Sequence, residues 1–237
     1  MVLFGTIING ITIILGTIIG KFLSKIPDQM KTTVMHGIGL AVVVLGLQMA
    51  FKSEQFLYVI ISLVLGAVIG EWIDLDGKLN ACGNWLEKKL GAFGSGQISQ
   101  GFVTATLIFV IGAMAILGAL DSGMKNNHDI LLTKAIIDGF TALILTTTLG
   151  IGVMFSAIPV VIYQGTIALL AAQIVALVPS VLLDQLIAEI TASGGVMILA
   201  IGLNLTGITK IRVANLLPGI MVIIVLVIVM YNLNGIL

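Results

Sequence analysis

Long apolar runs alternate with short polar stretches along the whole chain, and within the runs the apolar residues are continuous, as in Val222–Met230. Lipid is the solvent that tolerates such runs. A helix needs about 20 mainly apolar residues to span it, whereas a barrel strand needs about 10 alternating ones. The pattern therefore predicts helices, and eight runs qualify as spans: about 2–20, 34–51, 56–73, 101–120, 133–157, 159–178, 193–209 and 213–232. The expected fold is an all-α polytopic transmembrane bundle forming a single integral membrane domain over 1–237.

Only the Ile158-Pro159 step separates the fifth and sixth runs. Proline lacks an N–H and disfavours helix in the residue before it, which predicts a tight reversal there. One kinked helix would give seven spans instead. Basic residues discriminate between the counts. With eight spans, Lys21, Lys25, Lys31, Lys78, Lys88, Lys89, Lys210 and Arg212 all fall on one side, against Lys52, Lys125 and Lys134 on the other. The excess of Lys and Arg on cytoplasmic loops then places both termini outside. With no basic stretch ahead of the first run, a cleaved signal peptide is not expected.

Composition excludes the soluble alternative. Apolar residues make up 59% of the chain and charged ones 9%, against about 25% charged in an ordinary soluble domain. Zero net charge gives nucleic acid no attraction. One cysteine, Cys82, and two histidines, His36 and His128, provide no disulfide framework and no soft-metal cluster. No cofactor is expected.

Between the third and fourth spans, Leu75, Leu79, Cys82, Leu86 and Leu90 recur at spacings of three and four. This predicts an amphipathic helix over 75–90, lying on the inner membrane surface with Trp85 at headgroup level. Gly94-Ser95-Gly96 reads as a flexible link.

Internal repeats organise many transporters. At an offset of 156, Asp28-Gln29 returns as Asp184-Gln185, Gly39 as Gly195 and Gly46-Leu47-Gln48 as Gly202-Leu203-Asn204. One residue out of register, Asn9-Gly10 returns as Gln164-Gly165. Spans 1–3 thus overlie spans 6–8, an inverted repeat. A parallel register at offset 129 competes, laying Asn9-Gly10 on Asp138-Gly139.

Polar residues inside the runs carry the candidate chemistry. A polar residue followed by glycine recurs at Asn9-Gly10, His36-Gly37, Gln100-Gly101, Asp138-Gly139 and Gln164-Gly165. Glycine admits a neighbouring backbone or a ligand, so each pair reads either as helix packing or as a binding element. Asp138 is the costliest, at about 2.5–3.5 kcal/mol for a mid-bilayer acid on insertion scales. Lys134 stands four residues earlier and can offset part of that cost. Glu71 ends the third span, with Asp74 and Asp76 after it. Gln48 and Asn204 fall at equivalent places in the inverted register and are expected to face each other near the midplane. Asn215 precedes Pro218, which interrupts the last span. The candidate ligand set for a solute or ion is therefore Asn9, Gln48, Glu71, Asp138, Gln164, Asn204 and Asn215. Metal-protease, nucleophile-elbow and P-loop patterns are missing from the chain, so neither catalytic nor metal-binding residues are assigned and no enzyme is expected.

Nearly end to end, the chain resembles the bacterial YdfK/YqgA-like family of multi-pass inner-membrane proteins of unknown function. The matching stretches include Asn9, Ile69-Gly70-Glu71, Gly118-Ala119-Leu120, Lys134 through Asp138 to Phe140-Thr141-Ala142, Leu149-Gly150-Ile151, Ile158-Pro159, Gly202-Leu203 and Asn215-Leu216-Leu217-Pro218. The resemblance implies a bacterial inner-membrane location and this topology, in a family often described as transporters. It supplies no substrate and no site residues, and 75–97 is not covered by it.

Two functions remain in view. One is a secondary transporter, or a channel, for a small solute or ion, with Asp138 titrating or pairing with a coupling cation. The other is a membrane scaffold or sensor that acts through helix packing. Besides the lipid bilayer and a small solute or ion, a homodimer is the expected partner, because many glycine faces are left to pair.

Overall fold

A computed structural model describes residues 1–23, 27–90 and 98–234. Lys25 and the Gly94-Ser95-Gly96 link lie outside the described residues, as do the side chains of Cys82, Leu86 and Leu90 in the predicted surface helix. The described residues form ten α-helices and two short 3-10 segments, with no strand among them. In chain order the helices are α1 (Phe4–Phe22), α2 (Asp28–Ala50), α3 (Phe56–Ile73), α4 (Leu75–Leu90) and α5 (Ile98–Val110), followed by α6 (Ala113–Lys125), α7 (Asp129–Leu149), α8 (Ala157–Leu177), α9 (Ser180–Leu205) and α10 (Pro218–Asn234). The 3-10 segments are Gly150–Ser156 and Val213–Leu216.

The polarity of these helices is inverted relative to a soluble protein. On α1 the buried residues are Gly5, Thr6, Asn9, Gly10, Ile13, Gly16, Thr17 and Gly20, a stripe of small and polar residues at helical spacing. Its exposed face carries Ile11, Leu15, Ile18, Ile19 and Phe22. On α3 the buried set is Val59, Ser62, Gly66 and Gly70, while Ile60, Val64 and Val68 point outward. Burying small residues and exposing large apolar ones has no driving force in water; in a bilayer it follows directly, because the tails are as apolar as leucine and helices gain by close approach. Trp72, 89% exposed at the end of α3, suits the headgroup level.

Six stretches are long and apolar enough to cross a membrane: Phe4–Phe22, Thr32–Ala50, Phe56–Ile73, Asp129–Leu177, Ser180–Leu205 and Val213–Leu233. A seventh arises if the bent pair Ile98–Val110 and Met114–Lys125 is counted as one span, with 61° between its halves. The predicted straight span at 101–120 is thus two half-length helices, broken where Gly112 takes φ +152°. The predicted start of the seventh span, at 193, falls well inside α9, which begins at Ser180.

The chain divides into two compact units. One comprises Met1–Ile38, Lys78–Val110 and Met114–Ala172; the other comprises Gly39–Gly77, Ile111–Ala113 and Gln173–Leu237. In the first unit α1 runs parallel to α7, with Gly16 lying on the backbone of Gly139 and Gly20 on the Leu143 carbonyl. Its relation to α8 is antiparallel: Gly10 meets Val161, and Gly165 faces Leu3 and Thr6. The chain therefore turns back between α7 and α8, and the turn occurs in Gly150–Ser156, not at the predicted Ile158-Pro159 step. Gly150 follows the last residue of α7 at φ +76°, ψ −169°, a region that is essentially glycine-only. Pro159 instead lies in the first turn of α8, where a missing N–H costs nothing because first-turn amides have no intrahelical partner. A Cβ at Gly150 would meet no atom within 4 Å, so its conformation is the constraint. Gly150→Ala is expected to cost about 1–3 kcal/mol, read as a lowered thermal midpoint of the detergent-purified protein.

In the second unit α2 and α9 cross antiparallel on four glycines. A Cβ added at Gly39 would stand 2.9 Å from the Gly202 carbonyl oxygen, and one at Gly202 would stand 2.7 Å from that of Gly39. Gly46 and Gly195 show the same reciprocity, at 2.7 and 2.8 Å. Nearby, α3 packs on α10, with Gly66 against the backbone of Gly219 and Gly70 against that of Asn215.

Candidate functional site

The close approach of α1 to α7 and α8 brings three of the predicted residues together in the first unit. Asn9 Nδ2 donates to Asp138 Oδ2 at 3.0 Å and lies 3.3 Å from Gln164 Oε1. Lys134 Nζ donates to the same Asp138 oxygen at 2.5 Å. Asn9 and Gln164 are fully buried, while Lys134 and Asp138 are 6% and 5% exposed. These are three of the five polar-glycine pairs seen in the sequence; in each the glycine admits the neighbouring helix and the polar side chain meets its partner. Nine residues separate Asp138 from the start of α7, about 14 Å at 1.5 Å per residue.

This cluster is charge-balanced but not saturated with hydrogen bonds. Asn9 Oδ1, Gln164 Nε2 and Thr6 Oγ1 are buried without a protein partner. Most buried polar groups are satisfied, and unsatisfied ones cost free energy. Asn9 Oδ1 is an open acceptor, Gln164 Nε2 an open donor and Thr6 Oγ1 can act as either, so together they can hydrogen-bond a water or a polar solute. Five other threonines of the runs instead donate to their own helices. Thr12, Thr146, Thr147, Thr148 and Thr206 all bond carbonyls three or four residues back, as helical threonines commonly do.

The remaining predicted residues lie in the second unit and form no common site. Asn204 closes the loop after α9: Nδ2 donates to the Ile211 carbonyl at 2.7 Å, and Oδ1 accepts from Ile211 N and Thr209 Oγ1, both at 2.8 Å. Gln48 is exposed. The expectation that these two amides face each other fails, because the antiparallel crossing sets Gln48 beside the region of Ser193. Asn204 is eleven residues further along α9, about 16 Å away. Equivalent positions in a repeat need not touch.

Glu71 belongs to a half-exposed ion group. Arg212 Nη1 reaches Glu71 Oε2 at 2.6 Å, the guanidinium also pairs with Asp74, and Nε lies 3.7 Å from Asp76. Desolvation opposes the charged guanidinium, but Glu71, Asp74 and Asp76 outweigh it and raise its pKa further. Exposed ion pairs contribute little to stability, so this group chiefly positions the loop before Val213. Buried Asn215 accepts from the Asp76 amide at 2.7 Å and so caps the first turn of α4. Asp121, paired with exposed Lys125 at 2.7 Å, behaves as an ordinary surface acid.

Sequence reasoning missed Glu189. Its residue is 3% exposed, inside α9. Oε2 accepts from Ser53 Oγ at 2.6 Å, and Oε1 from the amides of Glu54 and Gln55 at 2.9 and 3.0 Å, just ahead of α3. The available signal was an acid seven residues before Val196 in a helix read as starting too late.

A helical chain with small polar stripes inside, large apolar side chains outside and an ion pair buried between helices is a polytopic membrane protein. It belongs to the family described as "Protein of unknown function (DUF554)", whose pattern matches residues 4–228. It is similar to the "Uncharacterized membrane protein YdfK" of Bacillus subtilis, 34% identical over 225 residues and 93% of each chain. It is also similar to the "Uncharacterized protein YqgA" of Escherichia coli, 30% identical over 225 residues, 92% of this chain and 93% of that one. No solved structure matches.

Proposed function

We propose that this protein is a secondary transporter for a small solute or ion in the bacterial inner membrane, with Asp138 at the centre of its coupling site. The observation that carries this reading is the convergence of Asp138, Lys134, Asn9 and Gln164 from three helices, with amide groups left open among them. Ionisable groups inside a membrane are costly and typically mark ion or substrate paths. An aspartate paired to a lysine within its own helix can exchange that partner for a proton or a cargo cation, and Asn9 and Gln164 supply neutral ligands beside it.

The reading includes eight spans with both termini outside, and an inverted repeat. Residues 138 and 164 both touch Asn9, although a straight helix would separate them by about 39 Å; this favours two crossings between Asp129 and Leu177. The reciprocal glycine contacts of α2 and α9 pair Gly39 with Gly202 and Gly46 with Gly195. The offset of 156 makes Gly39 equivalent to Gly195 and Gly46 to Gly202, so each glycine meets the counterpart of the other, as expected of two repeat halves meeting about a pseudo-two-fold axis. Rocking of one repeat against the other would then alternate access.

The second reading, a scaffold or sensor, draws on the same tight glycine faces. Solid-supported-membrane electrophysiology on proteoliposomes separates the two. Inorganic ions, amino acids and organic acids are screened at two pH values, with a pH-dye assay for electroneutral exchange. A cargo-dependent signal that disappears in folded Asp138→Asn is the expected result. A signal retained in Asp138→Asn, or silence in both assays from folded protein, overturns the proposal.

A further inference from the structure

The second unit holds a cavity of about 410 Å³ that the transport reading does not use. It is lined by Glu54, Glu189, Gln55, Gln185, Tyr58 and Tyr231, together with two apolar residues of α10. We propose that it is a binding site for a small organic cation, an alkylammonium or a guanidinium.

The volume falls in the range of small-molecule sites, about 300–1,000 Å³. Its charge is one-sided: two carboxylates and no basic residue line it. Buried carboxylates are ordinarily paired with a cation, yet Glu189 makes no ion pair within 4 Å among the described residues and bonds only neutral donors, Ser53 and two backbone amides. Those three bonds leave one of the carboxylate's roughly four acceptor sites open. Glu54, half a helical turn before α3, adds a second negative charge to the same wall.

The rest of the lining selects the kind of cation. No group of three or more His, Cys, Asp or Glu able to hold a metal ion occurs among the described residues, and calcium or magnesium takes six or more oxygen ligands. Tyr58 and Tyr231 instead bring aromatic rings to the lining, a group that attracts ammonium and guanidinium, and Val227 and Met230 bring apolar contact for a short alkyl chain. Gln55 and Gln185 supply amide oxygens for the remaining N–H groups. A lining that combines carboxylates with aromatic and aliphatic groups fits a cation that carries carbon.

The site shares no residue with the Asp138 cluster, so its test is binding and is independent of whether the protein transports. Full-length protein in nanodiscs is titrated with n-butylammonium and guanidinium, with sodium and butyrate as controls, by calorimetry and by thermal shift. The expected result is saturable binding of the organic cations alone, weakened about tenfold in Glu54→Gln and in Tyr231→Leu and unchanged in Asp121→Asn, a surface acid of the first unit. Glu189→Gln is expected to abolish it; because Glu189 also holds the start of α3, the other two variants keep the test decisive should this one not fold. Absence of binding to the folded wild type, or equal affinity in Glu54→Gln and Tyr231→Leu, overturns the proposal.

Discussion

Asp138→Ala is expected to destabilise the protein by about 3–5 kcal/mol, because it leaves Lys134 buried without its counter-charge. The two side chains are 8% and 7% exposed, and Asn9 would lose its acceptor as well. The double variant Lys134→Met, Asp138→Leu removes both charges together. Buried pairs replaced by apolar residues of similar size are often neutral or stabilising, so most of the lost stability should return. Thermal unfolding in one detergent, with wild type, Asp138→Ala and the double variant side by side, measures this recovery. Transport assays on the stable double variant then separate two roles that Asp138→Ala alone confounds. A pair that merely braces α7 predicts that function returns with stability; a coupling site predicts a folded, inactive protein.

The second large effect is expected at the α2–α9 crossing. Gly46→Leu or Gly195→Leu places side-chain atoms where backbone now stands, since even a Cβ would come within 2.5 Å of Leu199 N or Ala50 N, respectively, or closer. Overpacking ordinarily costs about 1–3 kcal/mol and more where backbone must move, and here two whole helices must separate. These variants are expected to lose the monodisperse peak in fluorescence-detected gel filtration. Gly37→Ala on α2 should do the opposite, because nothing lies within 4 Å of its added Cβ and alanine is favoured over glycine in a helix by about 0.8–1 kcal/mol. A stable Gly195→Leu would show that the crossing does not hold the second unit together.

How much of this was legible in the sequence depended on the kind of signal. Asn9, Asp138 and Gln164 were conspicuous because lipid-spanning runs contain few polar residues, and each was followed by a glycine that proved to be a contact point. Their mutual contact was not legible, because the two competing registers aligned Asn9 with Gln164 or with Asp138 and alignment says nothing of distance. Glu189 escaped notice because Asp184, Gln185 and Glu189 look like a loop when hydropathy alone sets the boundary, whereas α9 continues through them to Ser180. The turn between α7 and α8 was assigned to a proline because its missing N–H is visible in sequence; a glycine's positive φ is not. Gln48 and Asn204 show the limit of repeat reasoning, which identifies corresponding positions and leaves their distance open. The 75–90 helix agrees in extent with α4, since a spacing of three and four needs no tertiary information.

The arrangement of Lys134 and Asp138 within a single helix also bears on how the chain is made. Because the two residues are four apart, their pair closes as soon as α7 is helical, before α1 or α8 has docked. A segment leaving the translocon can therefore partition into lipid as a neutral unit, avoiding much of the charge that each side chain would carry alone. The order, lysine before aspartate, opposes the helix dipole and is the weaker of the two. Such a pair can escort α7 through insertion and then persist, still closed at 2.5 Å with Asn9 of α1 bonded beside it.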